Sequence, residues 1–329
     1  MIEAGVDISI IIVSWNVRDL LRECLAAVAE GLEQGGLAGE VIVVDNGSQD
    51  ESAGMVRRHF PAVRLIANPA NLGFTKGNNQ GLRESHGRHA LLLNPDTRVA
   101  ASSLREMVDY LDAHPTVGAV GPRLLYPDGT EQSSRRRFPT LATGLLESTA
   151  LQRFFPDSAV LRRYYVADRS PYDEQEVDWL VGACLMVRRA AIERVGLLDE
   201  GFFMYSEEMD WCRRLKAAGW QIVYLPWARV VHYEAKSSEQ SVLARQQHFH
   251  DSKVRYFRKY HGTLAAAALR LFIVLSFLCM LAEETIKYLV VPSKRTWRRP
   301  RLGVLGGALL YHARRLPKPS SSGGGEPLS

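Results

Sequence analysis

Cysteine is scarce and scattered. Cys24, Cys184, Cys212 and Cys279 are the only four in 329 residues, and none forms a CxxC pair. That excludes a zinc ribbon or a thiol–disulfide centre built on such a pair, and the apolar neighbours of each predict buried free thiols. No GxGxxG follows the first apolar run and no Walker loop is present, which disfavours a nicotinamide or ATP enzyme. Zinc-finger, helix-turn-helix and RNP signatures are missing too, so nucleic acid is not expected as a partner despite the net charge of +5. Residues 1–9 (MIEAGVDIS) lack the basic-then-apolar pattern of a secretory signal, and the main domain is expected to stay in the cytoplasm. Internal repeats are absent. With 46% hydrophobic and 23% charged residues, the chain has the balance of a folded globular protein.

The stretch His89 to Val99, HALLLNPDTRV, organises what is present. Ala90 to Leu93 is too short for a helix and suits a strand buried on both faces. Pro95 removes a backbone donor and stops the ladder, so Asp96 is set on a loop at the strand's carboxyl end. That edge is where open α/β sheets bind ligands, and a carboxylate there can hold a divalent cation. Taken alone, Asn94-Pro95-Asp96 is as well explained by a polar turn.

Strand and helix alternate around this stretch. Ile8 to Val13 reads as a first buried strand, closed by Ser14, Trp15 and Asn16, with Asn16 as helix N-cap. Val17, Leu20, Leu21, Cys24, Leu25 and Val28 follow at helical spacing. Glu40 to Val44 and Val63 to Ile66 are further strands, separated by a polar helix. The loop NPANLGFTKGNNQG, residues 68–81, leads into a short helix. After Ala90, Leu104, Met107, Val108 and Leu111 continue helically, and Ser103 with Glu106 fits a capping box. Short connections throughout argue for a mostly parallel sheet flanked by helices. From Glu131 to Glu176 the pattern fades, as in an insertion or a mobile loop on the acceptor side. Structure resumes at Val177 to Val187. Ser206 is a candidate cap for a helix from Glu207 to Ala218, and His232 lies just beyond a strand at Gln221 to Leu225.

Thr263 to Ala282 is a mostly apolar run near the spanning minimum of about twenty residues. Arg270 interrupts it, Glu283 and Glu284 end it, and basic clusters flank it on both sides. Membrane association is expected, with an in-plane helix or shallow hairpin favoured over a span and a buried soluble helix as the bland alternative. The organisation predicted is a main domain at 7–260, a membrane-associated helical segment at 261–316 and a disordered tail at 317–329.

Four further places carry chemistry. Asp45, in Val-Asp-Asn-Gly-Ser, either makes a turn or accepts hydrogen bonds from a nucleobase or ribose. Gly73, Gly77 and Gly81 let backbone approach a ligand, and Lys76 can meet phosphate. Glu207, Glu208 and Asp210 crowd one helix start, where the dipole stabilises acids; Glu208 and Asp210 point in different directions around it. His232 is a structural histidine or a metal ligand.

The blocks SIIIVSWN, VIVVDNGSQD, NLGFTKGNNQG, LLLNPDTRV, GPRLLYPDGT, VGACLMVRR and GLLDEGFFMYSEEMDWCRRLKAAGW, in that order from Ile8 to Ser238, resemble glycosyltransferase family 2, closest to its bacterial rhamnosyltransferase-like branch. The resemblance implies a GT-A fold and inverting transfer from a nucleotide-diphosphate sugar to a saccharide or lipid-linked acceptor, at the cytoplasmic membrane surface, in cell-envelope polysaccharide synthesis. Asp45 matches the aspartate that reads the base. Asn94-Pro95-Asp96 matches the DxD motif, with Asn94 in place of its first acid. Glu207-Glu208 matches the ED motif, with Glu208 as catalytic base in place of aspartate and Glu207 and Asp210 as supporting acids. His232 matches a histidine that joins Asp96 on Mg²⁺ or Mn²⁺. Ser14, Asn16, Asp45, Lys76, Asn78, Asn94 and Asp96 form the expected donor-binding set. The rivals are a non-catalytic nucleotide-sugar-binding scaffold and a nucleotidyltransferase.

Overall fold

The computed structural model describes residues 5–233 and 242–316; the tail expected to be disordered lies outside them. The chain runs β1 (Ile8–Ser14), α1 (Arg18–Gly35), β2 (Gly39–Asp45), α2 (Ser52–His59), β3 (Arg64–Ala67), α3 (Phe74–Arg83), β4 (His89–Leu93), β5 (Thr97–Val99), α4 (Ser103–Ala113) and β6 (Val117–Leu125). Every residue of β1 and β4 is buried, as continuous apolar strands between two helical layers must be. β3, β2, β1 and β4 are parallel neighbours, with Ser14 opposite Asp45 and Ile12 opposite Leu93. The carboxyl ends of these strands therefore share one edge, and Asn94 and Asp96 follow on from it.

Short strands β7 (Glu131–Gln132) and β8 (Arg135–Arg136) come next, then α5 (Leu141–Leu146), α6 (Ala159–Tyr164), β9 (Gln175–Glu176), β10 (Trp179–Leu180), β11 (Cys184–Arg188), α7 (Arg189–Val195), α8 (Glu207–Ala217) and β12 (Gln221–His232). β11 pairs antiparallel with both β4 and β6, so the sheet is mixed beyond its parallel half. β12 runs parallel to β6 and antiparallel to β5, placing His232 opposite Thr97. The chain ends in α9 (Val242–Val290), kinked at Gly262 with φ 88°, and α10 (Arg295–Ala313) packed along it.

The expected α/β sheet flanked by helices is present, but it is mixed rather than mostly parallel, and several local expectations do not hold. Asn16 is left-handed at φ 53° and does not cap α1; the Arg18 amide instead donates to Asp50 Oδ2 at 2.8 Å, from a neighbouring loop. Ser103 and Glu106 make no capping box, because the Ser103 hydroxyl is taken by the Arg229 carbonyl at 2.9 Å. Ser206 sits at the N-cap of α8 without a side-chain bond. His232 ends β12 rather than following a shorter strand. The 131–176 stretch is no mobile loop: Leu161, Tyr164 and Val166 are core residues, and Arg135 stacks on Tyr224 with its guanidinium 5.1 Å from the ring centroid. Three of the cysteines are buried as predicted, but Cys279 is exposed on α9. That helix also runs on past Glu283 and Glu284 to Val290, since both acids have basic partners.

Candidate active site

The carboxyl edge of the sheet opens into a cleft enclosing about 380 Å³. That lies within the roughly 300–1,000 Å³ of small-molecule sites. Ser14, Asn94 and Asp96 come from the ends of β1 and β4, Glu207 and Glu208 from the start of α8, and His232 from the end of β12.

Asp96 and His232 are both buried, with Asp96 Oδ1 3.3 Å from His232 Nε2. His232 Nδ1 lies 2.8 Å from Gln132 Oε1, so a proton on Nδ1 is donated there and Nε2 keeps its lone pair. Asn94 Nδ2 is 3.4 Å from the same Nε2. A lone pair and a carboxylate oxygen turned towards each other form a donor set that fits a divalent cation, with oxygen from water or phosphate completing the shell. Among the described residues no group of three or more His, Cys, Asp and Glu side chains gathers to hold a metal.

Glu207 and Glu208 form a tight acidic pair. Burial raises both carboxyl pKa values, well above the ordinary 4.5 for Glu207, where the neighbouring Glu208 charge adds to it. For Glu208, its own amide, those of Gly182 and Met209, and the Arg136 charge pull the other way without cancelling burial. One oxygen of each acid is buried without a hydrogen-bond partner. The two residues before the pair, Tyr205 and Ser206, are left-handed at φ 68° and 65°. Two such residues in a row store strain on the order of 1–2 kcal/mol each, of the kind that accumulates where side chains are held in place for use.

Asp210 belongs elsewhere. It is fully buried and accepts from Arg214 Nε at 2.9 Å and Tyr260 Oη at 2.7 Å, with Lys259 Nζ at 2.6 Å. It does not line the cleft, in keeping with its pointing away from Glu208 around the helix, and its charge is met by these partners.

The glycine-rich segment also serves packing. It is helical from Phe74, and a Cβ on Gly81 would stand 2.4 Å from Ile11 Cγ2, so its backbone approaches the sheet rather than a ligand. Lys76 is exposed outside the cleft, and the buried Asn78 donates to the Phe74 carbonyl at 2.9 Å. Asn16 also stays outside, accepting from the Gln49 amide at 2.7 Å. Asp45 is buried and does not line the cleft: Oδ2 accepts from the Ser48 amide at 3.1 Å, while the buried Oδ1 is unpartnered. Sequence reasoning missed Trp15, Asn46, Tyr205, Arg245 and His248, which also line the cleft. For Trp15 and Asn46 the signal was adjacency to strand-end polar residues; for Arg245 and His248, on α9, there was none.

Comparisons with known proteins agree with this geometry. The model of "Glycosyl transferase family 2" matches residues 9–196. An N-acetylglucosaminyl-diphospho-decaprenol L-rhamnosyltransferase of Mycobacterium tuberculosis is 33% identical over 242 residues, covering 70% of this chain and 78% of the relative. The rhamnosyltransferase WbbL of Escherichia coli is 26% identical over 261 residues, covering 76% and 92%. Among solved structures, the mannosyltransferase PcManGT from Pyrobaculum calidifontis, in complex with GDP-Man and Mn²⁺, superposes with a TM-score of 0.56 at 19% identity, covering 95% of this chain and 87% of its own. Fold, site and matched residues converge: the chain belongs to glycosyltransferase family 2.

Proposed function

We propose that this glycosyltransferase is inverting and uses a divalent cation. It moves a sugar, rhamnose in the first instance, from a nucleotide-diphosphate donor to a membrane-linked saccharide or lipid at the cytoplasmic face of the cell membrane. Cell-envelope polysaccharide synthesis is the setting. One observation carries the reading: Asp96, His232 and Glu208 line a single cleft. Glu208 takes the proton of the acceptor hydroxyl as that oxygen attacks the anomeric carbon from the side opposite the diphosphate. Asp96 and His232 are the residues that would hold the cation, which when bound offsets the charge of the departing diphosphate. Asp45 does not line the cleft, so its buried Oδ1 is left out of the donor contacts. Ser14 and Asn94 line the cleft beside the cation site and Glu208. The acceptor class is carried over from the mycobacterial relative, whose name specifies an N-acetylglucosaminyl-diphospho-decaprenol. In this reading residues 7–260 are catalytic and 261–316 direct the enzyme to its membrane.

The test is a panel of radiolabelled nucleotide sugars given to the full chain with Mn²⁺ and a prenyl-diphosphate-linked N-acetylglucosamine. A labelled lipid product with inverted anomeric configuration is expected. Release of pyrophosphate from nucleoside triphosphates, with every nucleotide sugar left intact, would make the chain a nucleotidyltransferase.

A further inference from the structure

The residues of α9 buried against the rest of the molecule, Ala266, Leu269, Ile273 and Phe277, recur at helical spacing. The opposite side carries Leu264, Leu271, Leu275, Leu278, Ile286 and Leu289, each between 48% and 83% exposed. Steps of seven, four and three residues keep most of them on one face. From Leu264 to Leu289 that face runs for about 38 Å at about 1.5 Å per residue. Soluble monomers rarely leave so long an apolar stripe uncovered.

A second apolar point stands beside it. Phe154 and Phe155 are 74% and 57% exposed at the end of the 3-10 turn Ala150–Arg153. Arg153 holds Glu283 of α9 through two hydrogen bonds of 2.7 and 2.9 Å, which fixes the turn against the helix. The acids of this region are neutralised, Glu283 by Arg153 and Lys287 and Glu284 by Arg298. Cations remain: Lys294, Arg295 and Arg299 are exposed, and Trp297 is 59% exposed with the Arg301 guanidinium 4.7 Å from its ring. A tryptophan among arginines suits a headgroup layer.

We infer that α9 lies in the plane of an anionic lipid surface as a monotopic anchor, and that Phe154 and Phe155 are its second point of insertion. Spanning would carry the inner side of α9 into hydrocarbon, including Arg270, bonded to Asp251 at 3.0 Å, and Glu284, paired with Arg298. Each charged side chain there costs roughly 2.5–3.5 kcal/mol. Lying flat leaves every one of those contacts in place. A second copy of the chain is a poorer cover for the stripe, because a two-fold interface would bring its flanking cations together. The inference rests on the membrane-linked acceptor reading but is measured without catalysis.

The experiment uses the full chain and vesicles of phosphatidylglycerol and phosphatidylcholine. Cys279 is the exposed thiol among the four cysteines and lies beside the stripe, so it takes a fluorescent probe directly. In a Cys279→Ser background, Leu264→Cys, Leu275→Cys and Leu289→Cys carry the same probe, and lipid-borne quenchers report its depth. Equal, shallow depths are expected. A Leu275→Cys probe near the bilayer centre overturns the in-plane anchor. Phe154→Ser with Phe155→Ser should weaken vesicle binding about tenfold or more, the scale of one or two apolar side chains leaving lipid. Both residues are exposed, so an unchanged melting temperature is expected alongside. Unchanged affinity removes the second insertion point, and a lipid-free dimer that ignores vesicles overturns the whole inference. Vesicle binding without sugar transfer would remove the proposed acceptor chemistry alone, whereas transfer without vesicle binding would remove this anchor alone.

Discussion

A carboxylate used as a base has to be ionised, and burial holds protons on Glu207 and Glu208. Because the Glu208 pKa is raised, its basic form appears only above the ordinary carboxylate range, and kcat/KM should climb with pH through the raised value. Glu208→Gln keeps the shape without the basic oxygen and should lose on the order of a hundredfold or more in turnover. Nucleotide-sugar affinity, read by calorimetry, should survive that change, and Glu208→Asp should keep part of the activity. Normal turnover in Glu208→Gln would move the base to a neighbour. Glu207 separates stability from chemistry. Its folded pKa is raised above the unfolded value near 4.5, so the folded state holds the extra proton and stability falls as pH rises through the raised pKa. Glu207→Gln should therefore raise the melting temperature by a few degrees at neutral pH. The gain should vanish below the unfolded value, and a melting temperature that does not respond to pH would contradict the buried pair.

Elements were legible where pattern alone decides them. β1, β2 and β4 are apolar runs buried on both faces, and their ends fall where Ser14, Asp45 and Asn94 stop the ladder. Side-chain caps were misread at α1, α4 and α8, although α8 starts at Glu207 after Ser206 as expected, because caps are settled by what the fold brings near rather than by the adjacent residue. At α1 the capping oxygen comes from Asp50, 32 positions away in sequence and close only because β1 and β2 are parallel neighbours. That bond gives a test. Asp50 also accepts from the Ser52 amide and hydroxyl at the start of α2, so one carboxylate serves two helix starts. Asp50→Ala should cost about 1–2 kcal/mol, the usual range for a lost cap. Urea denaturation of the variant measures it, and no change in midpoint would mean that solvent satisfies the Arg18 amide equally well. Glycines misled for a related reason. A Gly-rich loop near a strand end reads as a phosphate cradle, yet Gly81 is there so that α3 can lie against Ile11 of β1.

At the scale of the molecule, the sequence carried the sheet's parallel half and the acids that line its edge, but not the way α9 closes the far side. Nothing in residues 242–261 marks them as neighbours of α8, since the contact joins segments about fifty positions apart through polar groups that read as a solvated charge run. In the fold, Asp210 on α8 binds Tyr260 and Lys259 of α9, and Lys259 also reaches Asp199 at 2.8 Å. Arg213, the next cation on α8, donates to Tyr256 at 2.8 Å. The helix that presents Glu208 is thus braced by the helix that also lines the cleft with Arg245 and His248. Asp210 is fully buried, so removing its charge strands two partly buried cations that were placed to meet it. Asp210→Asn should cost on the order of 2–4 kcal/mol, somewhat less than a fully buried broken pair because Arg214 and Lys259 keep other partners. Thermal melts should show this as a clear drop. Well below that melt, turnover should stay within a few-fold of the parent, since Asp210 meets no substrate in the proposed chemistry. Loss of turnover at full stability, with nucleotide-sugar affinity preserved, would instead make Asp210 the proton acceptor and reduce the Glu207–Glu208 pair to a structural feature of the cleft.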